Sequence, residues 1–235
     1  MGRYAKVDSK TLSLWEVPHQ SKLQWPITSL ILYLYMIHIY IDEAGRWPLA
    51  WPVYVGLVVG KKWYSVTALQ SCRDSKKLSE KQREVLFKQL QQSSICWSYA
   101  KSSNRYIDRY GIVAAIRRAI IQWIKKLDIN YKNLIENKQI ILHIDGNTDF
   151  GLSKKFPWLT IHTYIKGDDK VPAISAASII AKVLRDREMV RLDKKYPDYW
   201  FAQHKGYGTQ KHRKSIATYW LSRVHRRSFC KSIQQ

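Results

Sequence analysis

Residues 29–59 read SLILYLYMIHIYIDEAGRWPLAWPVYVGLVV. Two apolar, β-branched and aromatic runs, 29–41 and 52–59, flank a segment punctuated by Gly45, Pro48 and Pro52. Runs of that length and composition, broken by turn residues, read as buried strands, and a connection of about ten residues suits an antiparallel pair. Working outward, Lys76–Gln92 reads as a helix, with Ser79 as N-cap and Gln82 completing a capping box. A short strand is expected at 98–103. From 107 to 127, Ile112, Ala115, Ile116, Ala119, Ile120, Trp123, Ile124 and Leu127 recur at helical spacing and mark a core-facing helix. QIILHI (139–144) and LTIHTYI (159–165) are further strands, stopped by Asp145-Gly146 and by Lys166-Gly167-Asp168. Pro172 suits the first turn of a helix that carries Ile174, Ala177, Ala181 and Leu184 and runs to about Lys194. Residues 196–235 are basic and aromatic with little clean period. Strands followed by alternating helices and strands make an α/β domain with a mixed sheet flanked by helices.

The chain has 235 residues, 40 Lys+Arg against 18 Asp+Glu, a formal net charge of +22 and a pI near 9.9. At 46% hydrophobic residues it holds enough apolar material for a core, which excludes global disorder. The charge calls for a polyanionic partner, nucleic acid before any membrane surface, because the basic residues are not gathered on one amphipathic helix. Cys72, Cys96 and Cys230 are odd in number and far apart, so neither a disulfide framework nor a cysteine zinc module is expected. A monomer in a reducing, cytoplasmic setting is expected. The apolar stretch 27–41 is too short to span a membrane.

The few acids fall at informative places. Asp42-Glu43, Asp145 and Asp168 each close a strand-like run, and strand ends beside turns are where open α/β sheets carry ligand sites. A single Asp-Gly is commonly only a turn. Converging carboxylates in a phosphate-binding protein would repel both one another and the ligand, unless a hard divalent cation such as Mg²⁺ or Mn²⁺ bridges them to phosphate oxygens. Two such ions can activate water and stabilise the leaving oxygen in phosphodiester cleavage.

Seven segments in order carry a resemblance: IDEAGRWPLAWPV (41–53), DSKKLS (74–79), IDGN (144–147), IKGD (165–168), ISAASIIAKVLRD (174–186), HKGYGT (204–209) and HRRSF (225–229). The chain resembles the type 2 ribonuclease H family, ribonuclease HII, from about residue 37 to 230. The resemblance implies an RNase H-like domain at 37–195, preceded by an extension (1–36) and followed by a basic C-terminal region (196–235) that helps hold substrate. It implies an endonuclease that cuts the RNA strand of RNA/DNA hybrids and single ribonucleotides embedded in duplex DNA, leaving 3′-hydroxyl and 5′-phosphate ends. Asp42, Glu43, Asp145 and Asp168 match the family's metal-binding acids. Gly45, Arg46 and Trp47 fall on the segment that reads the ribose 2′-hydroxyl, and Tyr207 on the tyrosine that packs against the sugar. Sensing the 2′-hydroxyl distinguishes RNA from DNA at one position.

Lys76, Lys77, Lys166 and Lys205 are candidate phosphate contacts, with Lys182, Arg185 and Lys211 in a similar position. His204 and His212 are expected as polar surface or phosphate contacts, not zinc ligands. Ser175 and Ser178 are expected to pack where helix meets sheet. Tyr196, Tyr199 and Trp200 suit base stacking or an ordinary turn.

The chain departs from the family where glycine is expected. Trp47, Trp51, Trp200 and Trp220 stand at family glycines, and Tyr40 at another, in a chain holding 10 Trp and only 10 Gly. Two readings follow. Either Trp47 blocks the reader loop and leaves a catalytically impaired nucleic-acid-binding protein, or the four tryptophans are UGA codons that one genetic code reads as Trp and another as Gly.

Overall fold

The computed structural model describes residues 37–60, 69, 71–72, 78–136 and 140–233, with only the backbone of 126–136. The extension 1–36, the start of the first expected strand, and Lys76 and Lys77 lie outside the described residues. Five strands, β1 (Ile37–Ala44), β2 (Val53–Gly60), β3 (Cys96–Ser102), β4 (Ile140–Asp145) and β5 (Thr160–Tyr164), form one sheet in the order β3-β2-β1-β4-β5. β1 pairs antiparallel with β2, and β2 with β3, whereas β4 runs parallel to β1 and β5 parallel to β4. This is the mixed sheet expected, with the helix-connected strands supplying its parallel half.

Helix α1 (Glu80–Gln92) opens on the anticipated box: Gln82 N donates to Ser79 Oγ, and Gln82 Oε1 accepts from Ser79 N. α2 (Asn104–Glu136) starts earlier than the apolar period indicated, because Ser103 Oγ caps Tyr106 N. It also runs further, through a stretch, 112–136, that contains neither Gly nor Pro. Two one-turn helices, α3 (Leu152–Lys155) and α4 (Gly167–Lys170), flank β5, and α5 (Pro172–Lys195) follows with Pro172 in its first turn. Beyond it come α6 (Phe201–His204) and α7 (Gln210–Tyr219), the latter not foreseen.

The sheet is covered on both faces, as period-2 alternation requires. Ile39 and Ile41 of β1 join Val53, Val55 and Leu57 of β2 against Ile116, Ile120 and Trp123 of α2. Tyr40 and Val58 point the other way, into Ala173, Ala177 and Ile180 of α5. α5 reaches the sheet closely because Gly56 lacks a side chain: a Cβ there would lie 2.0 Å from the carbonyl oxygen of Ala177. Tyr40, one of the departures, fills space on this face by stacking on His143, ring centroids 4.6 Å apart. A third cluster joins Leu49 and Ala50 to Met189 and Leu192 of α5 and to Tyr199, Phe201, Ile216 and Val224. It ties the C-terminal region to the loop between β1 and β2.

Candidate active site

Asp42 lies near the end of β1 and faces α5, and Asp145 ends the neighbouring parallel strand, where Ile41 is registered with Ile144. Asp168 arrives from α4, after a left-handed turn at Lys166 with φ 56°. One carboxylate oxygen from each of the three lies within 4.8 Å of the other two. Asp145 Oδ1 also accepts from Gly167 N at 2.7 Å, which locks β4 to the turn that presents Asp168. Asp42 and Asp168 are buried and Asp145 is half-buried.

Burial, then the neighbouring charges of Glu43 and Asp145, push the Asp42 carboxyl well above the usual carboxylate range; a hydrogen bond to the Ser178 hydroxyl opposes them. Ser178 thus touches the acid cluster, a role hidden in the sequence behind its place on a helix–sheet contact. Ser175 does pack there, bonding the Cys72 carbonyl. Glu43 stands outside the group of three. Alternation turns its side chain to the opposite face from Asp42, and Oε1 pairs with Arg46 Nη1 at 3.2 Å. Three hard-oxygen donors so close, one already resisting ionisation, fit a divalent cation.

The segment after β1 forms a loop over two buried arginines. Gly45 has φ 94°, and a Cβ on it would lie 2.2 Å from Arg185 Nε. Arg185 is fully buried; Nη2 donates to the Lys205 carbonyl at 2.9 Å, while Nε and Nη1 have no hydrogen-bond partner. Its guanidinium lies 5.8 Å from the Tyr207 ring centroid, so it joins the loop to the exposed tyrosine. Arg226, also fully buried, donates from Nε to Trp51 O (2.9 Å), from Nη1 to Arg46 O (3.0 Å) and from Nη2 to Gly45 O (2.6 Å). Burial, then the nearby Arg185, lowers its pKa to about 9. Arg226 was not singled out in the sequence; its only signal there was membership of HRRSF.

The histidines of the C-terminal region are buried, not on the surface as expected. Ser222 N and Oγ face His225 Nδ1 at 3.0 and 2.8 Å, His225 Nε2 faces His212 Nε2 at 3.0 Å, and His212 Nδ1 faces Tyr207 O at 2.9 Å. A carbonyl only accepts, so His212 carries its proton on Nδ1 and accepts on Nε2 from His225. Every nitrogen is thereby satisfied with both rings neutral. Burial pushes His212 down to about 4 and His225 to about 3. His204 stacks on His212 at 4.3 Å and bonds Tyr199 O at 2.7 Å.

Lys166 is exposed. Lys205 Nζ contacts Glu80 Oε1 (3.1 Å) and Ala202 O (2.9 Å), Lys182 pairs with Asp186 at 2.6 Å, and Lys211 lies over the Trp200 ring at 3.4 Å. Trp47 is 73% exposed, with the Arg46 guanidinium 5.9 Å from its ring centroid. Three other tryptophans, at positions the resemblance assigns to glycine, have positive φ: 75° at Trp51, 57° at Trp200 and 66° at Trp220, the last with ψ −169°. Each costs on the order of 1–2 kcal/mol for a residue with a Cβ.

The family model for ribonuclease HII matches residues 39–232. The chain belongs to the ribonuclease HII family. It is 44% identical over 189 residues to ribonuclease HII of Campylobacter concisus, covering 80% of this chain and 90% of the relative. It is 38% identical over 193 residues to that of Clostridioides difficile, covering 82% and 69%. The fold matches the ribonuclease H2 of Pyrococcus horikoshii, with TM-score 0.63 at 24% identity over 85% of this chain and 97% of that one. It also matches the ribonuclease HII of Archaeoglobus fulgidus, solved with PCNA, with TM-score 0.61 at 27% identity over 84% and 97%. Ribonuclease HII membership makes the chain an endoribonuclease acting on RNA/DNA hybrids, and the reading as an impaired binding protein is not favoured. Among the described residues no helix is long and apolar enough to cross a membrane.

Proposed function

We propose that this ribonuclease HII hydrolyses phosphodiester bonds by a two-metal mechanism, on the RNA strand of hybrids and at single ribonucleotides within duplex DNA, leaving 3′-hydroxyl and 5′-phosphate ends. The observation that carries the reading is the convergence of Asp42, Asp145 and Asp168 from three separate elements within 4.8 Å in a chain of net charge +22. Those three, with Glu43 beside them, would hold Mg²⁺ or Mn²⁺, which supplies an activated water and neutralises charge on the phosphate.

The residues around the acids divide the remaining tasks. Ser178 holds Asp42 oriented. Gly45, Arg46 and the backbone at position 47 read the ribose edge, and Tyr207 packs on the sugar. Arg185, whose Nε and Nη1 have no hydrogen-bond partner and whose Nη1 lies 3.9 Å from Asp186 Oδ1, keeps this end of the site positive toward phosphate. Lys166, which is exposed, would reach a phosphate, while Lys205 would have to leave Glu80; Lys76 and Lys77 remain phosphate contacts on their motif alone. The C-terminal region from 196 onward acts in substrate binding, and the enzyme works as a cytoplasmic monomer.

The test is cleavage of a duplex carrying one ribonucleotide, with and without Mg²⁺, with product ends determined. Metal-dependent cutting that leaves a 5′-phosphate supports the reading; metal-independent cutting or a 2′,3′-cyclic phosphate product removes it.

A further inference from the structure

We infer that Arg226 is a positioning residue that sets which way the substrate-reading amides point. The inference rests on the reading of 45–47 given above. Arg226 comes from the far end of the chain, yet all three of its side-chain hydrogen bonds end on loop 45–51. Among the described residues no carboxylate hydrogen-bonds it, so the guanidinium is not part of a buried ion pair that happens to lie there. No described peptide bond is cis, and in a trans peptide the N–H points opposite to the C=O. Drawing the Gly45 and Arg46 carbonyls in toward Arg226 therefore turns the N–H groups of Arg46 and residue 47 outward. Neither N–H has a protein acceptor among the described residues. Two adjacent outward donors are what a ribose hydroxyl oxygen can accept from and a deoxyribose cannot. The main chain is stapled on both sides of the same loop: Arg226 N to Leu49 O (2.7 Å), Trp51 N to Val224 O (2.8 Å) and Leu49 N to Gly206 O (2.8 Å). The planar fork of arginine spans three carbonyls; a lysine ammonium, a single point, does not.

The test is duplex binding in EDTA, where nothing is cut, comparing a DNA duplex with one ribonucleotide and the all-deoxy duplex of the same sequence. The unmodified enzyme should prefer the former by about fivefold, the scale of one or two neutral hydrogen bonds. Arg226→Lys should bring that ratio to about one and leave all-deoxy affinity within about twofold. A ratio unchanged in Arg226→Lys overturns the proposal alone. A ratio of one in the unmodified enzyme overturns it together with the reading of 45–47. If Arg226→Lys does not fold, Arg226→Gln makes the same comparison without the buried charge, and failure of both to fold reduces Arg226 to a structural residue.

A second inference rests on backbone angles. The geometry points to glycine at positions 51, 200 and 220 of the protein as its own ribosomes make it. Six non-glycine residues have positive φ among those described, and three of them are tryptophan. Positive φ is uncommon for any residue with a Cβ, and the Trp220 combination of φ 66° and ψ −169° lies near a region that is essentially glycine's alone. Trp97, Trp123 and Trp158, at positions that suit a bulky residue, show no positive φ. A codon read as tryptophan in one genetic code and glycine in another, UGA, gives this pattern and also a chain with as many Trp as Gly. Position 47 joins the set on its motif alone. The test is the coding DNA, followed by mass spectrometry of protein from the native cell. UGA at positions 51, 200 and 220, with each position lighter by about 129 Da, is the expected result, that mass being the difference between the two residues. UGG at those positions, or UGA with tryptophan mass, overturns it.

Discussion

Asp42 is where structure and chemistry press hardest on one residue. Its carboxyl is buried, flanked by two like charges and supported by the Ser178 hydroxyl. With its folded pKa raised, it favours the folded state most below the ordinary carboxylate range, and that contribution is lost as pH rises through the folded value. A bound divalent ion reverses this. Mg²⁺ should therefore raise the melting temperature more at pH 7.5 than at pH 5, and calorimetry at the two values checks it. Asp145→Asn should abolish cleavage while duplex binding stays the same or tightens, since one repulsion with phosphate is removed; single-turnover assays beside a binding titration separate the two. The acids were legible because each closes an apolar run. Glu43 shows what adjacency in sequence leaves open: its charge bears on the Asp42 carboxyl, while its own Oε1 pairs with Arg46 at 3.2 Å.

Among the elements, α5 depends on a single missing side chain. A Cβ at Gly56 would collide with the backbone of Ala177, not with a flexible side chain. Gly56→Ala should destabilise the protein by about 1–3 kcal/mol, read by urea denaturation, with lost activity wherever α5 lifts Ser178 from Asp42. The strands could be read from the sequence because buried β-branched runs bounded by Gly, Pro and Asp have few alternatives. α7 could not, for a physical reason. Its buried residues are His212, Ser215 and Ile216, a helical spacing written mostly in polar letters, because what it packs against is a histidine network. Its cap was available all the same: Thr209 Oγ1 accepts from His212 N at 3.3 Å, as Ser79 does for α1.

For the whole molecule, two electrostatic consequences are measurable. His212 and His225 have folded pKa values near 4 and 3, below the ordinary histidine range, so the unfolded chain takes up protons first as pH falls. Their contribution to stability is complete above about pH 6.5 and is lost on the way down to those values, at about 1.4 kcal/mol per pH unit for each ring. Asp42 acts in the opposite sense over part of that window. Urea melts between pH 7 and pH 4 should show a net loss, and His225→Asn should flatten it. The net charge of +22 implies binding dominated by phosphates. The logarithm of affinity should fall with the logarithm of salt by about 0.9 per neutralised phosphate, with little dependence on base sequence. Salt titrations on two unrelated duplexes check both.

Arg226 reaches back 181 residues to Gly45. During synthesis Asp42, Asp145 and Asp168 all leave the ribosome before Arg226 does. A growing chain can therefore gather its acids while the loop at 45–51 still lacks Arg226. The order of translation places the anchor of loop 45–51 after all three acids.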